Sequence, residues 1–323
     1  MRKTYTMPIP NVLISSLSRK VPLIDAVRNA QRAQGAGGFL WGGDVDPECV
    51  GRWFADGFWL MPRLSDPDAA DAILEFCAGQ DIALLVPTRD GELEFFAELR
   101  DSLEAAGTYV AVGARDAVAT CVDKLAFHDH CARAGVPVAA TSTDLEALDG
   151  DSFVVKERRG AASRSVTVGL NRVNAKIRAQ QLDEPIFQPT LDGVEHSVDV
   201  YVNRGGQVVD AAPRTRIRVH DGESMVTETV EHPGLVQASV HLAESLELRG
   251  HLVIQGFAVG DRATLIECNP RVGGASTLGF AAGVDTPAWA LAEALGEQVE
   301  PQLGAYRRGM AMVRYPADRL VER

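Results

Sequence analysis

No stretch of the 323 residues reaches the ~18 consecutive apolar side chains of a membrane span, and Met1 to Pro10 lacks the apolar core of a secretory signal. Cysteine is scarce and unpatterned. Cys49, Cys77, Cys121, Cys131 and Cys268 are odd in number and contain no CxxC pair, which argues for reduced thiols and against a zinc site or a disulfide framework. Basic charge is in deficit: 32 Lys and Arg against 44 Asp and Glu leave a net charge of -12, the wrong sign for a protein whose main partner is nucleic acid. Repeats and low-complexity tracts are missing. So is a Gly-x-Gly-x-x-Gly turn after the first strand, where Ser16-Leu17-Ser18-Arg19-Lys20 stands, which argues against a nicotinamide dehydrogenase. A Gly-x-Ser-x-Gly elbow is also absent. What remains is 46% hydrophobic and 24% charged, the composition of a globular protein with room for two or three compact units, expected in the cytoplasm.

The most informative segment present is Leu265-Ile266-Glu267-Cys268-Asn269-Pro270-Arg271, followed by Val272-Gly273-Gly274-Ala275-Ser276. On a strand, residues i and i+2 share a face, so Glu267 and Asn269 point together. Hard oxygen donors suit Mg²⁺, and an arginine next to them can neutralise a transferring phosphoryl group. A surface hairpin with a salt bridge is the other reading. Upstream, His251 to Val259 reads as a strand and Gly260-Asp261-Arg262 as a hairpin loop, which sets Gln255 opposite Glu267. Gln255, Glu267 and Asn269 then form one oxygen-rich cluster, provided the loop has that length.

Earlier in the chain, short apolar runs alternate with helical patterns: Val12 to Ser15, Pro22 to Ala33, Gly38 to Trp41, Ala69 to Ala78, Ile82 to Val86, Glu92 to Ala106 and Tyr109 to Val112. This alternation predicts a parallel sheet covered by helices. A single helix is expected from Asp116 to Ala134, stopped by Gly135-Val136-Pro137. Strands are expected at Phe153 to Lys156, Val166 to Val168, Ile186 to Leu191 and Val194 to Val202, and helices at Leu235 to Ser245 and from Thr286. Lys156 leads into the loop Glu157 to Ser165, whose small residues, Ser163 among them, let backbone N–H groups approach a phosphate; an exposed loop of solvated arginines is the alternative. Arg214, Arg216 and Arg218 alternate with Thr215, Ile217 and Val219, and in extended conformation line one face. Such a stripe suits an anionic substrate or a polyphosphate, and equally a charged strand edge that prevents aggregation. His128 and His130 face different ways on a helix, which disfavours a joint metal site.

Taken in order, these pieces resemble the ATP-grasp superfamily, most closely the branch like the carbamoyl-phosphate synthase large subunit that includes stand-alone carboxylate–amine ligases. The resemblance rests on Val86-Pro87-Thr88-Arg89-Asp90-Gly91-Glu92-Leu93, on Asp123-Lys124, on Phe153 to Lys156, on Gln188 with Glu195, and on Gln255, Glu267, Asn269 and Arg271. It implies an α/β fold with a Rossmann-like domain at 1–115, a small lid subdomain at 116–186 and a carboxyl-terminal subdomain at 187–323 that together grip ATP. It further implies that Lys124, Lys156 and Ser163 meet the phosphates, and that Gln188, Pro189, Thr190 and Leu191 form the adenine hinge. Glu195 would hold ribose, Gln255, Glu267 and Asn269 one or two Mg²⁺ ions that Mn²⁺ can replace, and Arg271, Lys156 and Arg218 would serve the acyl-phosphate step. Arg214, Arg216, Arg218, Gly273, Gly274 and Ser276 would face the substrates, a small carboxylate and an amine. Relatives are commonly homodimers. Two departures stand out: Glu157 occupies a position where many relatives have proline, and the phosphate loop is poor in glycine and rich in arginine. An ATP-dependent phosphotransferase and a non-catalytic ATP-binding module are the rival functions.

Overall fold

The computed structural model describes residues 10–35, 38–160 and 165–321. Two compact units divide them: one holds the described residues up to Val112 with Asp285–Glu300 and the end from Leu320, the other Gly113–Val284 with Pro301–Arg319.

In the first unit the order is β1 (Asn11–Ile14), α1 (Val21–Ala33), β2 (Leu40–Asp44), β3 (Gly57–Leu60), α2 (Ala69–Gly79), β4 (Ile82–Val86), α3 (Asp90–Ala105) and β5 (Tyr109–Val110). All pairings are parallel, in the order β3-β2-β1-β4-β5. Val12, Leu13 and Ile14 are fully buried, as expected for a central strand covered on both faces. The Pro-Thr-x-Asp-x-Glu-Leu turn has a local physical purpose. The Glu92 carboxylate accepts from the Thr88 and Arg89 amides and from the Ser16 hydroxyl, closing the first turn of α3 and tying it to the loop after β1. The edge strand β3 was not foreseen, because its residues are two aromatics and a leucine without alternation. Trp59 stacks on Phe76 of α2 at 4.0 Å.

The second unit begins with α4 (Arg115–Val122) and α5 (Lys124–Ala134). The expected single helix is therefore broken at Asp123, which leaves helical geometry (φ -94, ψ 103) and accepts from the Leu125 and Ala126 amides as an N-cap. The helix does stop at Gly135, at φ 73. There follow β6 (Phe153–Glu157), β7 (Thr167–Leu170), α6 (Arg172–Ala179) and β8 (Pro185–Pro189), whose strands form a three-stranded sheet in the order β7-β6-β8. Next come β9 (Val194–Val202), β10 (Val208–His220), β11 (Glu223–Thr229), α7 (Pro233–Ser245), β12 (Gly250–Val259), β13 (Arg262–Asn269) and α8 (Ser276–Ala282). α9 (Thr286–Ala294) belongs to the first unit, and β14 (Ala311–Val313) completes a six-stranded sheet in the order β13-β12-β9-β10-β11-β14.

That sheet has two unlike faces. Val198, Val200 and Val202 of β9, Leu252 and Ile254 of β12, and Leu265 and Cys268 of β13 pack on Leu235, Ala238 and Leu242 of α7 and on Cys121, Phe127 and Cys131 of α4 and α5. Each Val, Leu, Ile or Phe among them contributes roughly 1.5–3 kcal/mol, so this face anchors the unit. The opposite face is free to carry polar groups. All five cysteines are free and buried.

The β12–β13 hairpin reaches the expected pairing by an unexpected route. Val259 pairs with Arg262, so the loop is the two residues Gly260 and Asp261 rather than three. Continued regularly, that register would set Ile266 against Gln255 and turn Glu267 into the core. A bulge between Leu265 and Glu267, opposite Gln255 and Gly256, adds one residue and restores the pair Gln255–Glu267. Gly256 is needed there: a Cβ would meet the Thr264 carbonyl oxygen at 2.8 Å.

Candidate functional site

The polar face of the six-stranded sheet is organised in rows across the strands. One row runs Thr229, Arg214, Ser197, Gln255 and Glu267, from β11 to β13. A second includes Thr227, Arg216, Glu195 and Phe257. The third places Asp199 between Ala212 and Val253, with Asn269 at its end.

At the β12–β13 corner the Glu267 carboxylate accepts from the Gln255 side-chain amide and from that of Asn269, the latter at 3.3 Å. The three residues are thus gathered as the spacing predicted. Turning either amide about its terminal bond offers an oxygen instead of its N–H₂. The set then presents one carboxylate and two amide oxygens, hard donors that suit Mg²⁺ sharing its coordination with waters and phosphates. No cluster of three or more His, Cys, Asp or Glu able to hold a metal exists among the described residues. The corner therefore fits an ion that arrives with a ligand better than an all-protein cage.

Lys156, at the end of β6, is buried and feels the charges of Glu267, Lys124 and Glu195. Burial lowers its ammonium from 10.5 to about 8, opposed by Glu267 and Glu195 and reinforced by Lys124. The Lys124 ammonium donates to the Gly160 carbonyl at 2.8 Å, at the entrance of the loop after β6. Two loop arginines are engaged within the protein: Arg158 and Arg159 turn back onto Asp123 at 2.7 and 3.2 Å, although Arg159 stays largely exposed, and Arg164 lies outside the described residues. Burial alone would raise the Asp123 carboxyl, but bonds from Arg158, the Ala126 amide and Arg159 outweigh it and hold the group at about 2. Ser163 lies outside the described residues.

Gln188 is buried and donates to the Thr141 hydroxyl at 2.8 Å, while Pro189 pairs with Phe153 and the Thr190 amide bonds the Ser152 carbonyl. Of the four predicted hinge residues, Leu191 lines a cavity of about 590 Å³ that is walled by Gly234, Gln237, Ala238 and His241 of α7 and bordered by Phe257 and Thr264, and that does not include Gln255, Glu267, Asn269 or Lys156. Phe257 and Thr264 were missed from sequence. Phe257 follows Gln255 by two on the same face, directly opposite Glu195, so the strand spacing alone held the signal. Gly193 brings the chain past β12 at φ +102, where a Cβ would lie 2.3 Å from the Ala258 carbonyl oxygen. Glu195 pairs with Arg216 at 3.1 Å; burial raises its carboxyl despite that cation.

The arginine stripe does not survive intact. Arg214 and Arg216 point inward, but the β10–β11 ladder shifts at Arg218 and shifts back at Val219, leaving Arg218 exposed at the hairpin end. Arg214 is itself internal, donating to Asp199 at 2.7 Å. Ser276 is likewise not an open contact: it is fully buried, donates to Asp199, meets His251 at 2.9 Å and accepts from the Gly273 amide at 3.0 Å. Gly274 accepts from Arg314, which also pairs with Glu223 at 2.6 Å. The turn after Arg271 is therefore clamped from two sides. Arg271 is partly exposed and donates to the Val272 carbonyl at 3.3 Å. His128 and His130 bond different partners, the Ala139 carbonyl and the Ser245 hydroxyl.

The Lys156 value gives a pH expectation. Its charged form, the one able to meet a phosphate, is lost as pH rises through about 8. An anion bound at Lys156 is expected to lose affinity about tenfold per unit above that point, and Lys156→Arg to remove this limb. Stability of the free protein moves the other way. The folded-state value is depressed, so the penalty for burying the ammonium is full below about 8 and is relieved between 8 and 10.5. A ligand-free melting temperature that falls across that window in step with that affinity would contradict the assignment.

The chain is similar to known proteins in sequence and in fold. Residues 181–315 match the family model described as ATP-grasp in the biosynthetic pathway with Ter operon, and residues 12–111 match the PylC-like N-terminal domain. No curated protein sequence matches the chain. Among solved structures, a Campylobacter jejuni biotin carboxylase–β-γ-ATP complex superposes at TM-score 0.73 with 14% identity, covering 93% of this chain and 74% of that one. The ADP complex of N5-carboxyaminoimidazole ribonucleotide synthetase does so at 0.69 with 16% identity over 91% and 79%. L-amino acid ligase from Bacillus licheniformis gives 0.69 with 15% identity over 90% and 77%. The chain therefore carries an ATP-grasp domain behind an amino-terminal domain of the PylC-like kind.

Proposed function

We propose that the chain is an ATP-dependent ligase that joins a small carboxylate to an amine through an acyl phosphate. One observation carries the reading: Gln255, Glu267 and Asn269 converge on one sheet face beside buried Lys156, whose ammonium feels the Glu267 charge. Two of the solved relatives were captured as complexes of ATP or ADP, and another is an amino acid ligase.

In this reading the base sits between Leu191 and Phe257, the ribose at Glu195, and the triphosphate runs toward the β12–β13 corner. A substrate carboxylate oxygen attacks the γ-phosphorus and ADP leaves. The amine then attacks the acyl carbon, phosphate leaves with the bonding pair, and the amine proton passes to solvent. Lys156, Lys124 and Arg271 neutralise charge on the transferring group. Mg²⁺ at Glu267, Asn269 and Gln255 would supply further charge neutralisation across the phosphates, and Mn²⁺ takes the same donors. No protein nucleophile is required, because positioning and electrostatics supply the catalysis.

Hydroxylamine trapping tests the proposal. With ATP, Mg²⁺ and pooled carboxylates, a ligase releases ADP and leaves a hydroxamate. A stable phosphorylated product instead would identify a phosphotransferase, and ADP-free binding a nucleotide-binding module.

A further inference from the structure

The two inward arginines of β10 hold more donors than the protein fills. The Arg214 side chain is 3% exposed; its Nε bonds Asp199, yet its buried Nη1 has no hydrogen-bond partner. Arg216 is 8% exposed and gives Nη1 to Ser197 at 3.4 Å and Nη2 to the Gly222 carbonyl at 3.0 Å. Its Nε lies 3.1 Å from Glu195, close enough for Coulomb attraction, but the N–H is not aimed at the carboxylate and makes no hydrogen bond. Asp199 cannot serve both arginines, since its other oxygen accepts from Ser276 and lies 3.3 Å from His251. Two buried guanidinium groups two residues apart on one strand face, each with an unanswered N–H, call for an anion.

Which anion follows from the rows. Arg214 stands in the row of Gln255 and Glu267, separated from Gln255 by Ser197 alone. At ~4.8 Å per strand its Cα is about 10 Å from that of Gln255, and the long guanidinium arm shortens the gap. A nucleotide whose ribose is held at Glu195 and whose phosphates reach the metal corner does not extend to Arg214, which stands on the far side of Ser197. Ser197 is small and buried, with Arg216 Nη1 on its hydroxyl, and it places no charged side chain between the corner and Arg214. We propose that Arg214, backed by Arg216, is the anion site for a second acidic group on the carboxylate substrate. The preferred acids are then dicarboxylates or phosphorylated carboxylates whose second anionic group lies a few carbons from the reacting one. This rests on the ligase reading.

The test is an ADP-release screen of the full chain with Mg²⁺-ATP against paired acids: aliphatic dicarboxylates and phosphocarboxylates, each beside the monocarboxylate of equal length. A site built for a charged group should favour the diacid by at least about 100-fold in kcat/KM. Arg214→Gln should collapse that preference while leaving the affinity for Mg²⁺-ADP unchanged. Because Arg214→Gln leaves Asp199 short of a cation, the double variant Arg214→Gln, Asp199→Asn is measured in parallel and should show the same collapse. Equal rates for mono- and diacids overturn the proposal and leave the ligase reading standing. So does a weakened nucleotide affinity in either variant with acid preference retained, which would assign the arginines to the triphosphate. ADP release with no acid at all overturns the ligase reading and this proposal together.

Discussion

Replacing Glu267 by Gln is expected to lower ADP release by about 10³-fold, the scale seen when one preorganised electrostatic contact is removed from a reacting centre. The substitution is a clean probe. Gln has the same length, still accepts the bond from Gln255, and takes away only charge. Glu267 is the sole carboxylate of the corner, so its loss leaves three amides, which hold Mg²⁺ poorly. Raising Mg²⁺ should recover little of the rate, and the melting temperature should stay near the parent value because the residue is not part of the apolar face. A second readout is independent of turnover. The Glu267 charge props up the Lys156 ammonium, so its removal should move the alkaline limb to lower pH. A loss smaller than tenfold, with the limb unmoved, would remove Glu267 from the reaction.

Asp199→Ala is expected to be the most damaging single change to stability. Asp199 is fully buried on the central strand β9 and answers three groups at once: Arg214 at 2.7 Å, Ser276, and His251 at 3.3 Å. Burial works against its charge, but Arg214, His251 and Ser276 hold its carboxyl well below the usual range. Removing the acid strands a buried guanidinium, a situation that costs about 3–5 kcal/mol. Replacing the pair together is a different matter, since apolar side chains of similar volume are often neutral there. Urea unfolding of Asp199→Ala and of Asp199→Ala with Arg214→Met should therefore show the double variant to be the more stable. A double variant no better than the single one would mean that the charge pair is not what the aspartate contributes. The native pair also loses strength in acid, as pH falls through the depressed carboxyl value.

Much of the architecture was legible because it depends on local rules. Apolar runs separated by helical periods gave the parallel sheet, and the i, i+2 rule put Glu267 and Asn269 on one side. The failures share a cause: one-residue irregularities that no periodicity reports. The Gln255–Glu267 pair was expected from a three-residue loop, whereas a two-residue loop and a bulge together produce it. At Arg218 a similar shift removed a residue from a stripe that alternation alone kept whole. Asp123 sits inside a run of helix formers, and only its side-chain bonds to two amides reveal a helix start. Ser276 looked like an open contact because sequence carries no record of Asp199, 77 positions away, which claims it.

The amino-terminal unit is not continuous in the chain. α9, which starts at Thr286, packs on α1, β4 and β5, and Tyr109 donates from within that unit to Glu293 at 2.7 Å. On a translating ribosome, the first 112 residues therefore emerge long before their last helix does. Until the chain has been made through Ala294, the surface of the leading unit that α9 will cover stays bare.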